Sequence, residues 1–258
     1  MMIANSRRNF ALRWAARHLL VSALCVALAA SIVFLAWYPQ PWRAILGVAG
    51  IFGILVVVDL VCGPLLTLVL ANPNKSKRER WVDLALVGLI QLVALGYGLH
   101  AVYSARPVVL AFEVDRLSIV TANEVQSDQL QAAPSGYQYL PWRGVLRVGL
   151  RQAENSQEFL DSVSLSLEGV SQAMRPSWWT PYGDQTRAAI RAKAKPLSAL
   201  IGKRPQDAAT LEEAAKRARQ PVGKLFYLPL TSSTETSWVA LIDASGEMVG
   251  HAPVDGFD

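Results

Sequence analysis

The residue best suited to chemistry in this sequence is Asp59, which lies within an otherwise uncharged apolar run of 28 residues. An aspartate at the centre of a membrane helix costs about 2.5–3.5 kcal/mol to insert, so such a residue usually faces a helix interface, a partner or water. Pro64 cannot donate a backbone hydrogen bond to the carbonyl of Leu60, which indicates a kink. The segment, which continues through Gly63 to Thr67, is therefore predicted to be a polar docking point within a membrane.

Three roles for Asp59 are open from the sequence. Its carboxylate could hydrogen-bond across a helix bundle, with Gln91 or Tyr97 of a later apolar run as the candidate partners. It could instead dock a partner protein, or it could transfer protons or ions. A proton path needs a chain of titratable groups, and His100, close to the end of that later run, is the group expected to be available.

A short basic loop after the Asp59 run is the second candidate site. Asn72 and Pro73 end the run, and Lys75 is the first of four basic residues before position 81. A helix stop followed by positive charge on the cytoplasmic side of a membrane is one interpretation. Contact with a cytoplasmic partner or with lipid headgroups is the other.

The adjacent indoles of Trp178 and Trp179 form the third candidate site. Pro176 and Pro181 bracket them, which favours a loop. Neighbouring side chains of an extended segment point to opposite sides, so one indole could be exposed as a binding hot spot. Packing in the core or on a membrane surface is the alternative, and a core position is predicted for Trp238.

Residues typical of catalytic sites are sparse. His251, near the C-terminus, is the one histidine beyond residue 104. The sequence contains no Gly-rich phosphate loop and no metal-ligand spacing, and a lone intramembrane acid does not make an aspartyl dyad. We therefore expect no enzyme activity, no cofactor and no metal.

Charge is distributed unevenly along the 258 residues. Residues 1–103 contain nine Lys/Arg and three Asp/Glu, whereas residues 104–258 contain sixteen and seventeen, so the net charge of +5 comes from the first part. Because the second part is nearly neutral, nucleic-acid binding is not expected. Cys25 and Cys62 lie in apolar runs without a CxxC pattern, so neither a zinc site nor a redox pair is indicated.

Three apolar runs precede residue 104. About 20 apolar residues span a bilayer core, so the runs predict transmembrane helices at about 18–38, 44–71 and 83–103. The second is longer than a bilayer requires and must tilt, kink or end early. Four arginines in the basic N-terminus 1–17 and four basic residues in 75–80 outnumber Arg43, alone in the first connection. The positive-inside rule then predicts a cytoplasmic N-terminus and a periplasmic region 104–258.

The region 104–258 is predicted to be a soluble α+β domain with a small, mainly antiparallel sheet. Asn155 followed by Glu158 has the spacing of a capping box, so a helix is expected from there to about residue 174. The apolar residues of this helix share one face. The other predicted elements are strands at 108–112, 117–120, 145–150, 224–230 and 238–242, helices at 123–131, 184–195 and 207–219, and a hairpin turn at 243–246.

The order of motifs over residues 18–120 resembles that of the TfpX/TfpZ-type type IV pilin accessory proteins. The resemblance is weaker beyond that range, in Phe226-x-Leu228-Pro229-Leu230 and around residues 241–247. The motifs that carry it are Trp37-Tyr38-Pro39, the run 58–67, Asn72-Pro73-x-Lys75, then Asp83, Gln91, Tyr97 and Arg106-Pro107.

The resemblance implies a multi-pass accessory protein of the bacterial inner membrane, chaperone-like and without catalysis, which assists type IV pilin stability or pilus assembly. A type IV pilin subunit, the lipid bilayer and other pilus assembly proteins are the implied partners. A membrane-anchored sensor or regulatory protein with a periplasmic ligand-binding domain is the alternative. The residues that we expect to contact the partner are Asp59, Gly63, Pro64 and Thr67, which match the family's motif, and Trp178 and Trp179.

Overall fold

The computed structural model describes residues 2–257, with side chains from residue 7 onward. The chain divides into two compact units. The first contains the residues up to Pro39 together with Gly47–Ser104, and the second contains Gln40–Leu46 together with the residues from Ala105 onward. The connection between the first two apolar runs therefore belongs to the second unit, which the sequence did not indicate.

The apolar runs fold into long helices. Stretches long and apolar enough to cross a membrane are Arg7–Trp37, Val48–Leu70 and Lys77–Ser104. A π-helical turn, Val33–Trp37, extends the first helix, and another, Val58–Cys62, joins α3 to α4. The helices of this region are α1 (Met2–Ile32), α2 (Trp42–Ile45), α3 (Val48–Val57), α4 (Gly63–Leu70) and α5 (Lys77–Ser104).

The run predicted as a helix over 44–71 is divided near its start. Gly47 adopts a φ of 61°, in the left-handed region that glycine tolerates without steric cost, and it separates α2 from α3. The excess length of the run is therefore taken up by the separate α2. The π-helical turn ahead of Pro64 is the irregularity at the position where the proline predicted a kink.

The second unit contains one eight-stranded sheet. The strands lie in the order β4-β3-β1-β2-β6-β7-β8, and β5 also pairs with β6. Their bounds are β1 (Pro107–Glu113), β2 (Arg116–Thr121), β3 (Leu146–Leu150), β4 (Trp179–Pro181), β5 (Lys195–Pro196), β6 (Phe226–Thr231), β7 (Trp238–Ile242) and β8 (Met248–Ala252).

The prediction of a mainly antiparallel sheet is wrong, because the sheet is mixed. Two parallel pairings, β1 with β3 and β2 with β6, join its three antiparallel groups of strands. The hairpins β1–β2, β6–β7 and β7–β8 are antiparallel, as short connections require. Short-range patterns show such hairpins, but they do not show which distant strands pair in the middle of a sheet.

Alternation along the strands directs side chains to two faces of the sheet. On one face, Leu110, Ile119, Leu228 and Ile242 form a buried cluster with Ile190 and with two residues of the first connection, Trp42 and Ile45. On the other face, one cluster contains Leu197, Leu211, Tyr227 and Leu241, and another contains Val109, Val148, Ala173 and Trp179.

Four helices accompany the sheet: α6 (Ser156–Leu167), α7 (Asp184–Lys193), α8 (Leu197–Lys203) and α9 (Ala208–Arg217). The predicted N-cap of α6 is confirmed, because the side chain of Asn155 accepts a hydrogen bond from the backbone N–H of Glu158. The helix is shorter than predicted, since Gly169 adopts a φ of 91° and ends it. The backbone N–H of Val170 then donates to the carbonyl of Leu165, which closes a Schellman motif. Strands β4 and β5 and helix α8 were not predicted.

Candidate functional site

The residues singled out around Asp59 come together in the first unit with two further polar side chains. Asp59, Gly63 and Thr67 are spaced four residues apart and are all buried. They therefore share one face of the helical stretch Val48–Leu70, which we call the second apolar helix. His18 of α1 and Gln91 of α5 bond to this face. We call these five residues the polar cluster.

A chain of hydrogen bonds crosses the polar cluster. The side-chain amide of Gln91 donates to the backbone carbonyl of Asp59 over 2.8 Å. Its oxygen lies 2.5 Å from Nε2 of His18, and Nδ1 of His18 lies 2.6 Å from the hydroxyl of Thr67. Because a carbonyl can only accept, the Gln91 nitrogen must face Asp59, so the His18 proton must lie on Nε2. With a single ring proton, on Nε2, the His18 ring can accept a hydrogen bond from the Thr67 hydroxyl at Nδ1.

Pro64 explains why the carbonyl of Asp59 is free to accept. In the i→i−5 pattern of a π-helical turn, the donor for residue 59 would be the N–H of residue 64, which proline lacks. The sequence had pointed to the carbonyl of Leu60, the acceptor in an α-helical pattern. The π-helical turn Val58–Cys62 moves the open acceptor back by one residue, and Gln91 fills it.

Gly63 allows Gln91 to approach the second apolar helix. A Cβ atom at Gly63 would collide with the side-chain amide group of Gln91. Glycine at this position is therefore required by the close approach of a neighbouring helix, not by its own backbone conformation. Gly63 and Pro64 act together: the proline opens the acceptor, and the glycine gives the amide access to it.

The carboxylate of Asp59 takes part in none of these bonds, although the residue is only 4% exposed. Of the two bonding partners expected from the sequence, Gln91 bonds to the backbone of Asp59 instead, and Tyr97 is 77% exposed. His18, the first residue of the predicted span 18–38, was missed because its partners Thr67 and Gln91 lie 49 and 73 residues away in the sequence.

A small cavity of about 20 Å³ adjoins the polar cluster at Thr67. Phe10 and Trp14 of α1 line it together with Leu84 and Val87 of α5. The guanidinium group of Arg80, which also lines the cavity, lies 5.5 Å from the centroid of the Phe10 ring. The cavity thus extends the polar cluster with apolar and aromatic walls.

The basic loop is tied to the start of α5. The side chain of Asn72 accepts from the N–H of Asn74, and the ammonium group of Lys75 lies 2.5 Å from the carboxylate of Asp83. The guanidinium group of Arg80 donates to the carbonyl of Pro73 over 3.3 Å. These bonds give the loop a defined conformation.

Trp178 and Trp179 are both buried, at 3% and 2% exposure, so of the two alternatives left open by the sequence the structure has the core packing and not the exposed indole. The indole N–H of Trp179 donates to the carbonyl of Ala173 over 2.8 Å. Trp178 has two guanidinium groups near its ring, with Arg151 at 4.5 Å and Arg175 at 4.8 Å from the centroid. The pair therefore supports neighbouring elements from within the core.

The two arginines around Trp178 also hold α6. Both guanidinium NH groups of Arg151 bond to the carboxylate of Glu158, at 3.0 and 2.5 Å. These bonds, and a further one from the N–H of Glu154, lower the pKa of Glu158 to about 2. Arg175 donates to the hydroxyl of Ser162 over 2.6 Å. Burial lowers the pKa of Arg175.

Beside α6 the second unit has a groove of about 1230 Å³. Phe159 and Leu160 of α6 form one side, and Ala189 of α7 belongs to the other. Gly149 and Thr180, which pair across β3 and β4, are at its floor. Among residues 2–257, no group of three or more His, Cys, Asp or Glu side chains could hold a metal ion.

Helices long and apolar enough to cross a membrane, followed by an α+β domain, fit the class of membrane proteins. The family described as fimbrial assembly protein FimB matches residues 6–47. The chain is 32% identical over 253 residues to the fimbrial assembly protein of Dichelobacter nodosus serogroup I, covering 96% of this chain and 97% of the relative. It belongs to the fimbrial assembly protein family, which confirms the resemblance to type IV pilus accessory proteins.

Two further relatives carry similar names. The fimbrial assembly protein of D. nodosus serogroup E1 is 32% identical over 253 residues, covering 96% of this chain and 97% of the relative. That of serogroups C1 and C2 is 39% identical over 124 residues, which are 48% of this chain and 95% of the relative. No solved structure matches the chain. The family membership supports a role in pilus assembly.

Proposed function

We propose that this protein is a chaperone-like accessory protein of the bacterial inner membrane that contacts a type IV pilin subunit before or during pilus assembly. The names of the relatives support the assembly role. The observation that carries the proposal is the buried Asp59 carboxylate, which takes no part in the bonds of the polar cluster around it.

The proposed topology has three membrane crossings. The helices Arg7–Trp37, Val48–Leu70 and Lys77–Ser104 supply the spans. Basic residues concentrate before the first span and between the second and third, which favours a cytoplasmic location for both segments. The domain that follows α5 is then periplasmic, on the side of the membrane where an exported pilin head resides.

The proposed contact in the membrane lies at the second apolar helix. The side chain of Asp59 makes none of the hydrogen bonds of the polar cluster, and a carboxyl group in apolar surroundings costs free energy, so a donor on an incoming helix would relieve that cost. Pilin subunits are held in the membrane by one apolar N-terminal helix. We propose that this helix packs beside Asp59, where the π-helical turn and Pro64 interrupt the regular helix surface.

Site-specific photo-crosslinking tests the contact in the membrane. Crosslinkers at Val58 and Cys62, which are exposed neighbours of Asp59, are expected to capture pilin in cells that express both proteins. A crosslinker at Val93, 65% exposed on α5, is the matched control. Failure of positions 58 and 62 to capture abundant pilin would refute the proposed contact.

Substitution of Asp59 tests whether the proposed role is non-catalytic. Asp59→Asn keeps a polar group of similar size that cannot ionise, so docking and pilus assembly are expected to persist. Asp59→Leu removes the polar group and is expected to reduce both crosslinking and surface pili. Loss of pili in Asp59→Asn with crosslinking intact would instead favour proton transfer and would contradict the non-catalytic role.

The second candidate function is a membrane-anchored sensor, for which the groove beside α6 is the candidate ligand site. A large concave pocket with converging polar groups is the usual form of a ligand site. Deletion of the gene separates the two functions. Our proposal expects unchanged pilin mRNA with fewer assembled pili, whereas a sensor expects an altered level of pilin mRNA.

A further inference from the structure

Helix α6 exposes its apolar side chains and buries a polar one, which is the reverse of what is expected for a helix at the surface of a domain in water. Its buried residue is Ser162, at 1% exposure, whereas its apolar side chains point outward. A surface helix normally turns its apolar stripe toward the core. The exposed residues are Phe159 at 56%, Leu160 at 59%, Val163 at 42% and Leu167 at 85%, which we call the α6 apolar face.

Polar bonds explain how this orientation is maintained. The hydroxyl of Ser162 accepts from Arg175 at 2.6 Å and from the side-chain amide of Gln172 at 2.9 Å. The Arg151–Glu158 pair holds the first turn. The fold thus uses buried polar bonds to present an apolar surface, which marks an interaction site when it is contiguous.

The groove beside the α6 apolar face enlarges this surface. Its volume of about 1230 Å³ exceeds the roughly 300–1,000 Å³ of small-molecule sites. Besides Arg151, its polar lining consists of uncharged residues, among them Gln172, Thr180, Gln185 and Thr186, which can bond to the backbone of a segment that lies across it. The size and lining fit a protein segment better than a single small ligand.

A strained residue stands at the edge of the same groove. Val114 has a φ of 58°, which is unfavourable for a β-branched residue, and it is 69% exposed. It lines the groove from the β1–β2 turn. Strain of this kind concentrates at functional sites, and here it holds an apolar side chain at the groove edge.

Charge selects the kind of partner. Around α6, the exposed acids Glu154, Asp161 and Glu168 carry negative charge, and the one basic residue from 151 to 172, Arg151, is paired with Glu158. A second copy of this chain would bring the same acidic residues to the contact and would be repelled. An anionic membrane surface would be repelled for the same reason. A partner with basic residues beside apolar ones is complementary.

We propose that the α6 apolar face and its groove bind a partner protein through a segment of apolar side chains flanked by Lys or Arg. The identification of that partner as the exported head of a type IV pilin rests on the proposed function. The site differs from the one expected at Trp178 and Trp179, because those rings lie beneath the surface and hold α6 in position.

Direct binding tests this site. The full chain in detergent micelles is titrated with the pilin head, a fragment without the N-terminal apolar helix. Phe159→Gln with Leu160→Gln is expected to raise the Kd at least tenfold, because two apolar anchors are lost without disturbing buried groups. Tyr139→Gln, at a 77% exposed position outside the groove, is the matched control and is expected to leave the Kd unchanged.

Charge reversal at Asp161 provides a second test of the binding site. Asp161→Lys is expected to raise the Kd several-fold, and added salt is expected to weaken binding to the wild-type chain while reducing the difference between the two. An unchanged Kd in Phe159→Gln/Leu160→Gln would overturn the proposal. A failure of the wild-type chain to bind the head would overturn it as well.

A photo-crosslinker at Phe159 identifies the occupant. Capture of the pilin head supports the proposal, whereas capture of a second copy of this chain, or binding to vesicles of anionic lipid that is lost in Phe159→Gln/Leu160→Gln, overturns it. The results of this test can be distinguished from those that test the proposed function. Pilin capture at positions 58 and 62 without head binding at α6 would reject only this site, and the reverse result would reject only the contact in the membrane.

Discussion

Two regions of this protein have the same arrangement and opposite consequences. In the first unit, the second apolar helix turns Thr67 and Gly63 inward and exposes Leu65 and Val69. In the second unit, α6 turns Ser162 inward and exposes its apolar face. The exposed apolar side chains of the second apolar helix are suited to the hydrocarbon core of a membrane, which is the location that we propose for this helix. In water, exposure of the α6 apolar face costs free energy, which a partner that covers the face would recover.

The comparison also shows what holds each helix. The polar cluster joins its helices through hydrogen bonds of His18, Gln91 and Thr67. Side-chain hydrogen bonds of this kind connect helices inside membranes, which is the location that we propose for this region. Helix α6 is held by Arg151 and Arg175, charged groups that are costly to bury unless paired or bonded. Each set of bonds can be broken separately.

The largest effect is expected from Gly63→Val, which tests the packing of the polar cluster. The added side chain displaces the Gln91 amide, and overpacking together with two lost hydrogen bonds should destabilise the first unit by about 3 kcal/mol. Unfolding in mixed detergent micelles measures this. Gly53→Val is the control, because a Cβ at Gly53 meets nothing within 4 Å.

A double-mutant cycle sharpens the assignment. Gly63→Ala should cost stability in the wild-type chain and little in a Gln91→Ala background, where the clash is gone. Additive effects of the two substitutions would show that Gly63 is needed for another reason.

Ser162→Ala should have the next largest effect and acts on the second unit. It leaves donors of Arg175 and Gln172 without their acceptor, which should cost about 2 kcal/mol. Hydrogen exchange of the α6 amides in the full chain measures the loosening. Ser164→Ala, at an exposed position of the same helix, is the control, and equal protection in both variants would contradict the polar attachment of α6.

Acid should loosen α6 before the rest of its domain. The pKa of Glu158 is lowered in the folded state from 4.5 to about 2, chiefly by the hydrogen bonds from Arg151. The Arg151–Glu158 contribution is therefore fully present above about pH 4.5 and is lost as the pH falls toward 2. Exchange of the α6 amides across this range should show the change, and Glu158→Gln should remove the pH dependence while loosening α6 at neutral pH.

The smallest effect is expected from Lys75→Met in the basic loop. The Lys75–Asp83 pair is about one-third exposed on both sides, and such pairs contribute on the order of 0.5 kcal/mol. Unfolding in mixed detergent micelles, at low and high salt, should show a difference no larger than this. A loss comparable to that of Gly63→Val would mean that the loop belongs to the same cooperative unit as the polar cluster.

Much of the fold could be predicted from local patterns. The apolar runs indicated the long helices, Asn155 and Glu158 indicated the start of α6, and the hairpin β7–β8 followed from the turn at 243–246. The parallel pairings could not be predicted, because β2 meets β6 more than 100 residues later. Pairing at that distance depends on the whole sheet.

The polar cluster and the α6 apolar face could likewise be predicted only in part. Asp59, Gly63, Pro64 and Thr67 stood out because each is unusual in an apolar run. His18 did not, because its bonds to Thr67 and Gln91 span 49 and 73 residues. For α6 the apolar spacing was recognised, but spacing alone does not reveal whether a stripe faces the core or the solvent.

The short segment Gln40–Leu46 sets an order for biosynthesis. Trp42 and Ile45 leave the ribosome before two of the three long helices, yet they complete a cluster with strands that are made last. The domain can finish its core only when both stretches of chain have reached the same compartment. A fragment that starts at Ala105 would leave a gap where these two side chains belong, and it should recover its native packing when a peptide containing residues 40–46 is restored to it.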